Sequence, residues 1–326
     1  MNRKLFFPVL AIMIVILACS VQINTTDPPP TSITNTSISP EITIITEIPD
    51  LPALPPPPPP PSVPELSLDS LRNAIYDISD FTGTPRTITL VNGGYASGSD
   101  PASADFLTAF LGELVAFGDL NYDGVNDAAV LLGINTGGTG TFTYVAAVLN
   151  IGGAPVHAAS VFIDDRPVIG SLSITSGEIL SDNTIHGPDD PMCCPSFQTQ
   201  QGFRLYGSHL VLTRRTTWFG GTQRAININF PADLANLSYP FTVTGSVTVG
   251  PFENTLAYSV YSPDNTLITN GSVMTDSPDA GLPGNFSLPV NLSMAGVYGL
   301  VRIEFKELSM ADGSVLTLDS VLVNLQ

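Results

Sequence analysis

From Arg86 onward, apolar residues fall at every second position more often than at helical spacing. RTITLV (86–91), LVAFGDL (114–120), GTFTYVAAVLN (140–150), APVHAASVFI (154–163), VIGSLSIT (168–175), EILSDNTIH (178–186), GFRLYG (202–207) and HLVLT (209–213) all read as strands. DAAVLLGIN (127–135) is apolar from Ala128 to Ile134, the pattern of a short, fully buried strand. The breaks between them are turn residues: Asn92–Gly93–Gly94, Ile151–Gly152–Gly153, Ser176–Gly177 and Gly207–Ser208. A helical period occurs once, in SLDSLRNAIYDIS, where Leu68, Leu71, Ile75 and Ile78 share a face. Ser67 fits its N-cap and Asp69 the positive end of its dipole. One short helix followed by eight or nine strands predicts a curved or closed antiparallel sheet over residues 65–215.

A second alternating pattern begins after TTWFGGTQR (216–224), which holds two glycines and the chain's single tryptophan. That segment reads as a linker. Beyond it Phe241, Val243 and Gly245 share one strand face, and a hairpin turns at Pro263–Asp264–Asn265. About seven short strands in about 100 residues predict an immunoglobulin-like β-sandwich over residues 225–326. The chain is therefore expected to be mainly β.

The N-terminal end has a different texture. Arg3 and Lys4 precede an apolar run from Leu5 to Ala18, too short for the roughly 20 residues that span a bilayer. The reading is a signal peptide (1–18). Residues 20–64 contain no Gly, Lys, Arg or aromatic residue and include seven consecutive prolines, Pro55–Pro61. Such a tract favours an extended, solvated chain, so a disordered tether is expected over residues 19–64.

The run ends in Ile16-Leu17-Ala18-Cys19, which resembles the lipobox of bacterial lipoproteins. The resemblance implies cleavage before Cys19, lipidation (including palmitate) of that residue, and a chain held to the membrane on its extracytoplasmic side. Two acyl chains give a stable anchor, since each buried methylene adds about 0.8 kcal/mol.

Charge narrows the partners. Removing residues 1–18 takes two of the 11 cations and none of the 29 acids, leaving a formal charge near −20. That surface repels phosphate backbones, so no nucleic-acid role is expected. G-x-S-x-G, H-E-x-x-H and glycine-rich phosphate-loop patterns are all missing, so no enzyme is indicated.

Two segments carry chemistry. In DLNYDGVND, the side chains of Asp119, Asn121, Asp123 and Asp127 and the Val125 carbonyl stand at the alternate positions that wrap hard oxygens around calcium. Position 12 is Val130 rather than Glu, and an Asx-rich turn that caps its own backbone fits the same letters. Both readings stand. In HGPDDPMCCPS, His186, Asp189, Asp190, Cys193 and Cys194 are the residue types of a metal site or a Cys-His pair. Adjacent thiolates chelate one ion poorly, because zinc sites usually space them two to four residues apart. A vicinal disulfide or a structural pair is the alternative, and an extracytoplasmic hydrolase or redox protein using His186 with Cys193 and Cys194 is the competing function.

Three segments in order, GDLNYDGVNDAAVLL, TGGTGTFTYVAAVLN and HGPDDPMCCPS, resemble the domain of LppP/LprE-type bacterial lipoproteins over about residues 66–215. This implies an extracytoplasmic, lipid-anchored domain. PFTVTGSV, PFENTLAYSVYSPDNTLI, GNFSLPVNL and LSMADGSVLTLDSVLV resemble the immunoglobulin-like domain of bacterial spore germination proteins over about residues 225–326. That implies a binding or spacing module without catalysis, whose partner is an unknown envelope polymer or protein.

Overall fold

The computed structural model describes residues 63–326 apart from 104, 188, 189 and 280. The expected signal peptide, Cys19 and all but the end of the tether lie outside the described residues.

Ser67 starts helix α1 (Leu68–Arg72). Its hydroxyl accepts from the Ser70 N–H and the Ser70 hydroxyl accepts from the Ser67 N–H, each at 3.0 Å. The helix stops before Ile75 and Ile78, which the helical spacing had included. Five residues have little intrinsic helical stability, and period-2 burial takes over in strand β1 (Ile75–Ser79), where Tyr76 and Ile78 are buried and their neighbours exposed. β1 pairs only with β2 (Pro85–Thr89), so the two form a separate hairpin.

The rest of the first module is two sheets. β3 (Gly94–Ser97), β4 (Leu107–Gly118), β5 (Asp127–Asn135), β6 (Phe142–Ile151) and β7 (Ala154–Asp165) pair in chain order, all antiparallel. β8 (Val168–Thr175), β9 (Glu178–Ile185), β10 (Phe197–Tyr206) and β11 (His209–Phe219) make a second antiparallel run. β5 explains its own unbroken apolar sequence. Ala128, Val130, Leu132 and Ile134 pack with Leu71, Tyr76 and Ile88 beneath α1 and the hairpin. Ala129 and Leu131 pack with Ile179, Phe203 and Leu210 of the second sheet. Covered on both faces, the strand has no position for a polar residue between Ala128 and Ile134, and each Val, Leu or Ile so buried contributes about 1.5–3 kcal/mol.

The second module is a sandwich. β13 (Ile226–Phe230), β15 (Phe241–Val247) and β18 (Gly284–Val290) form one sheet. β16 (Thr255–Tyr261), β17 (Leu267–Met274), β19 (Gly299–Leu308) and β20 (Val315–Leu325) belong to the other, with short β14 (Ala235–Leu237) parallel to the end of β20. Val243, Leu256, Ile303, Phe305 and Val323 fill the space between them.

The junction differs from the sequence expectation. Residues 216–224 are not a linker but the end of β11, a turn at Gly220–Gly221 and strand β12 (Thr222–Arg224), which folds back on β11. Both glycines take positive φ, 56° and 81°, so the pair that reads as a break is a hairpin turn. β11 also pairs with β20 through Arg214↔Asp319 and Arg215↔Leu318. The second run of the first module and one sheet of the sandwich are thus a single sheet, ordered β17-β16-β19-β20-β11-β10-β9-β8. The described residues form one compact unit.

Candidate functional site

The acidic loop joins β4 to β5, and most of its side-chain oxygens face its own backbone. Asp119 accepts from the N–H groups of Asp123 (3.2 Å) and Gly124 (2.9 Å). Asn121 Oδ1 accepts from Asp123 N–H at 3.1 Å, and Asp123 Oδ1 from Val125 N–H at 2.8 Å. Asp127 is different. It is fully buried, and its two oxygens accept from Leu120 N–H and Asn150 N–H, both at 2.9 Å. Burial pushes its carboxyl up, and the nearby Asp123 and Asp119 charges add to that, while the two N–H groups oppose it. Tyr122, held at φ 62°, reaches across to the β8–β9 turn and donates to the Ser176 carbonyl at 2.7 Å. Gly177 permits this approach, because a Cβ there would meet the Tyr122 ring at 2.6 Å.

Of the five expected calcium ligands, the structure keeps Asp119, Asn121, Asp123 and the Val125 carbonyl on one turn and turns Asp127 to the backbone. Among the described residues no three His, Cys, Asp or Glu side chains assemble as a metal-holding group. Two carboxylates and an amide oxygen remain on the turn, and no salt bridge joins Asp119 or Asp123 to a cationic side chain among the described residues.

The second expected site is the loop from β9 to β10. Cys193 and Cys194 are joined through their sulfurs with Cα atoms 3.8 Å apart, and both residues are exposed. Asp190 organises the loop by accepting from Gly187 N–H (2.8 Å), Ser196 N–H (2.7 Å) and Ser196 Oγ (2.7 Å), contacts that hold its carboxyl below the usual range. Arg166 donates to the Met192 carbonyl at 2.6 Å and ties the loop to the end of β7. His186 lies beside Asp164, with Nδ1 2.9 Å from Oδ2, and its buried Nε2 has no hydrogen-bond partner. Asp189 lies outside the described residues.

A third polar cluster sits where the modules join, and no short motif announces it. Glu178 of β9 accepts from Thr213 Oγ1 at 2.7 Å, and Arg214 lies 3.6 Å from Glu178 and 3.7 Å from Asp319. Burial pushes the Asp319 carboxyl up to about 6, against the opposing Ile228 N–H bond and the Arg214 charge. Arg302 is buried, pairs with Glu304, donates to Asn265 Oδ1 at 2.7 Å, and lies over the rings of Tyr261 (4.3 Å) and Tyr206 (5.4 Å). Tyr206 belongs to β10, so one guanidinium binds both modules. The sequence signal was available only as Arg302 and Glu304 alternating with apolar residues in VRIEF.

Among the described residues no helix is long and apolar enough to cross a membrane. No curated protein matches the chain. Residues 225–314, from the residue before β13 to the turn before β20, match the family model described as the immunoglobulin-like domain of bacterial spore germination.

Proposed function

We propose that this protein is a membrane-anchored extracytoplasmic lipoprotein with a non-enzymatic binding or structural role at the cell envelope. One observation carries the reading. The immunoglobulin-like sandwich is joined to the first module by strand pairing (β11 to β20) rather than by a flexible connection. Such a body holds a fixed surface away from an anchor, which is what a recognition or spacing module requires. The lipobox-like ILAC at residues 16–19, the LppP/LprE-like segments and the acidic charge support the same location. The test is metabolic labelling with a palmitate analogue. Wild type takes the label and fractionates with membranes, and Cys19→Ser loses both. Unchanged labelling and fractionation of Cys19→Ser would refute the anchor.

Calcium belongs to this reading as a weak ligand of the β4–β5 loop, held by Asp119, Asn121, Asp123 and the Val125 carbonyl with Asp127 as scaffold. Two carboxylates without a cationic partner support it, and affinity in the extracellular-module range of about 10⁻⁴ to 10⁻³ M is expected. Millimolar calcium should raise the Tm, and Asp123→Ala should remove the rise. No shift in wild type would leave the loop as a self-capped turn.

The second reading is a hydrolase or redox protein using His186 with Cys193 and Cys194. The Asp164–His186 contact favours it, since a carboxylate on Nδ1 orients an imidazole base. Alkylation of the unfolded, unreduced protein separates the two. Two free thiols would revive the nucleophile, and none would leave the pair as a structural crosslink.

A further inference from the structure

Between the β1–β2 hairpin and β7 runs a cleft of about 1030 Å³ that meets the sites above only at Asn265. One wall is aromatic. Phe81, at the tip of the hairpin and half exposed, stacks on Phe142 with ring centroids 3.9 Å apart. Phe162, 43% exposed, lies 6.2 Å from Phe142 and 5.5 Å from Tyr144. Clustered exposed aromatic faces rimmed by polar groups mark ligand-binding grooves and partner sites.

Two polar groups in the lining point to the chemistry of the occupant. Tyr144 is 3% exposed, and its hydroxyl has no hydrogen-bond partner. Burial and the nearby Asp80 charge push that hydroxyl up to about 12, so it stays protonated and is a donor without an acceptor. His157 Nδ1 accepts from the Asp77 N–H at 3.3 Å, and burial pushes the imidazole down toward the neutral form. The proton of a neutral ring is then on Nε2, which is buried and has no partner in hydrogen-bonding geometry, the nearby Ala159 carbonyl included. A buried unpaired donor costs about 1–3 kcal/mol, and an incoming acceptor oxygen recovers it.

Charge removes the other classes. Arg86 is the one cationic Arg or Lys in the lining, and it is spent on Asp80 at 3.0 Å. Asp80 in turn accepts from Thr82 and Thr84 N–H, and Asp77 lines the same cleft. An anionic ligand meets carboxylates and no free Arg or Lys. A cationic one finds Asp80 spent on Arg86 and Asp77 already accepting from Thr87 Oγ1, and it brings no acceptor for the two buried donors. What remains is an uncharged molecule with a flat apolar face for the phenyl rings and several acceptor oxygens.

We infer that the cleft binds a neutral saccharide, its C–H face against Phe81 and Phe162 and its oxygens accepting from Tyr144 Oη and His157 Nε2. The volume is at the upper end of ligand sites, enough for a short oligosaccharide. This rests on the envelope-binding reading above and names its ligand class.

The test is calorimetry on the full chain with chitotetraose, cellotetraose, maltotetraose and mannotetraose, and with tetragalacturonate as the acidic control. At least one neutral tetrasaccharide should saturate the protein and tetragalacturonate should not. Phe81→Ala should weaken binding tenfold or more. Tyr144→Phe should weaken it severalfold without lowering the Tm, because the hydroxyl it removes has no partner in the free protein. No binding by any neutral sugar, equal binding of tetragalacturonate, or binding indifferent to both substitutions would overturn the inference. Co-sedimentation with purified insoluble cell wall separates its failure from that of the broader reading. Wild type and Phe81→Ala pelleting alike would sink the cleft alone, and neither pelleting would count against wall binding altogether.

Discussion

The β4–β5 loop and the junction of the two modules are both rich in carboxylates, yet they use them in opposite ways. In the loop, Asp119, Asn121 and Asp123 lie within five residues and accept from backbone N–H groups of the same turn. At the junction, Glu178, Asp319 and Glu304 come from three separate strands and are held by Arg214, Arg302 and each other's neighbours. An acid that caps its own turn is replaceable and solvated. An acid buried among distant strands is bound to its partners, and removing one partner leaves a charge with no solvent. The comparison teaches that the same residue type contributes little locally and much at a tertiary joint.

Arg302→Ala should break the junction most severely. It strips Glu304 of its guanidinium, empties the space between Tyr206 and Tyr261, and leaves Lys306 as the remaining partner. Removing one member of a buried pair costs about 3–5 kcal/mol, which denaturant unfolding would read as a large drop in midpoint.

Asp127→Ala comes next, because Asp127 is the one acid of the loop that behaves like a junction residue. It leaves the Leu120 and Asn150 N–H groups without acceptors. At about 1–3 kcal/mol for each buried orphan, the same unfolding assay should show a loss several times that of Asp123→Ala, whose carboxylate is exposed.

A smaller effect depends on pH. The Asp319 carboxyl titrates near 6 in the folded protein, above the ordinary 3.8. Between those values the folded state holds the proton more tightly, so this group's contribution to stability is present below about pH 4 and is lost as pH rises through 6. Stability of wild type relative to Asp319→Asn should therefore decline between pH 4 and pH 7, by about 1–3 kcal/mol. A flat difference would show that Arg214 and the Ile228 N–H outweigh burial.

What the sequence revealed follows the same division. β5 announced itself because both of its faces are covered, and Ser176–Gly177 because a tight turn needs positive φ. The acidic loop was legible as a motif, and its two readings stayed open because the letters do not say which way a carboxylate turns. The junction was not legible. Gly220–Gly221 marks a hairpin and a linker equally well in one dimension, and the pairing of Arg214 with Asp319 spans more than 100 residues. The aromatic cleft was hidden for the same reason, since Phe81, Tyr144 and His157 sit in three separate elements and each alone reads as core.

The shared sheet is the central claim, and limited proteolysis of the full chain tests it most directly. Proteinase K should leave one resistant body beginning near residue 63 and ending near Gln326, in which a nick at the exposed Gly220–Gly221 turn does not separate the two parts, because β11 is held to β20 by strand pairing and by the bonds from Thr317 Oγ1 to the Arg215 carbonyl (2.7 Å) and from Ser320 Oγ to the Thr213 carbonyl (2.9 Å). Early cleavage within 216–224, giving two separately stable fragments, would contradict it.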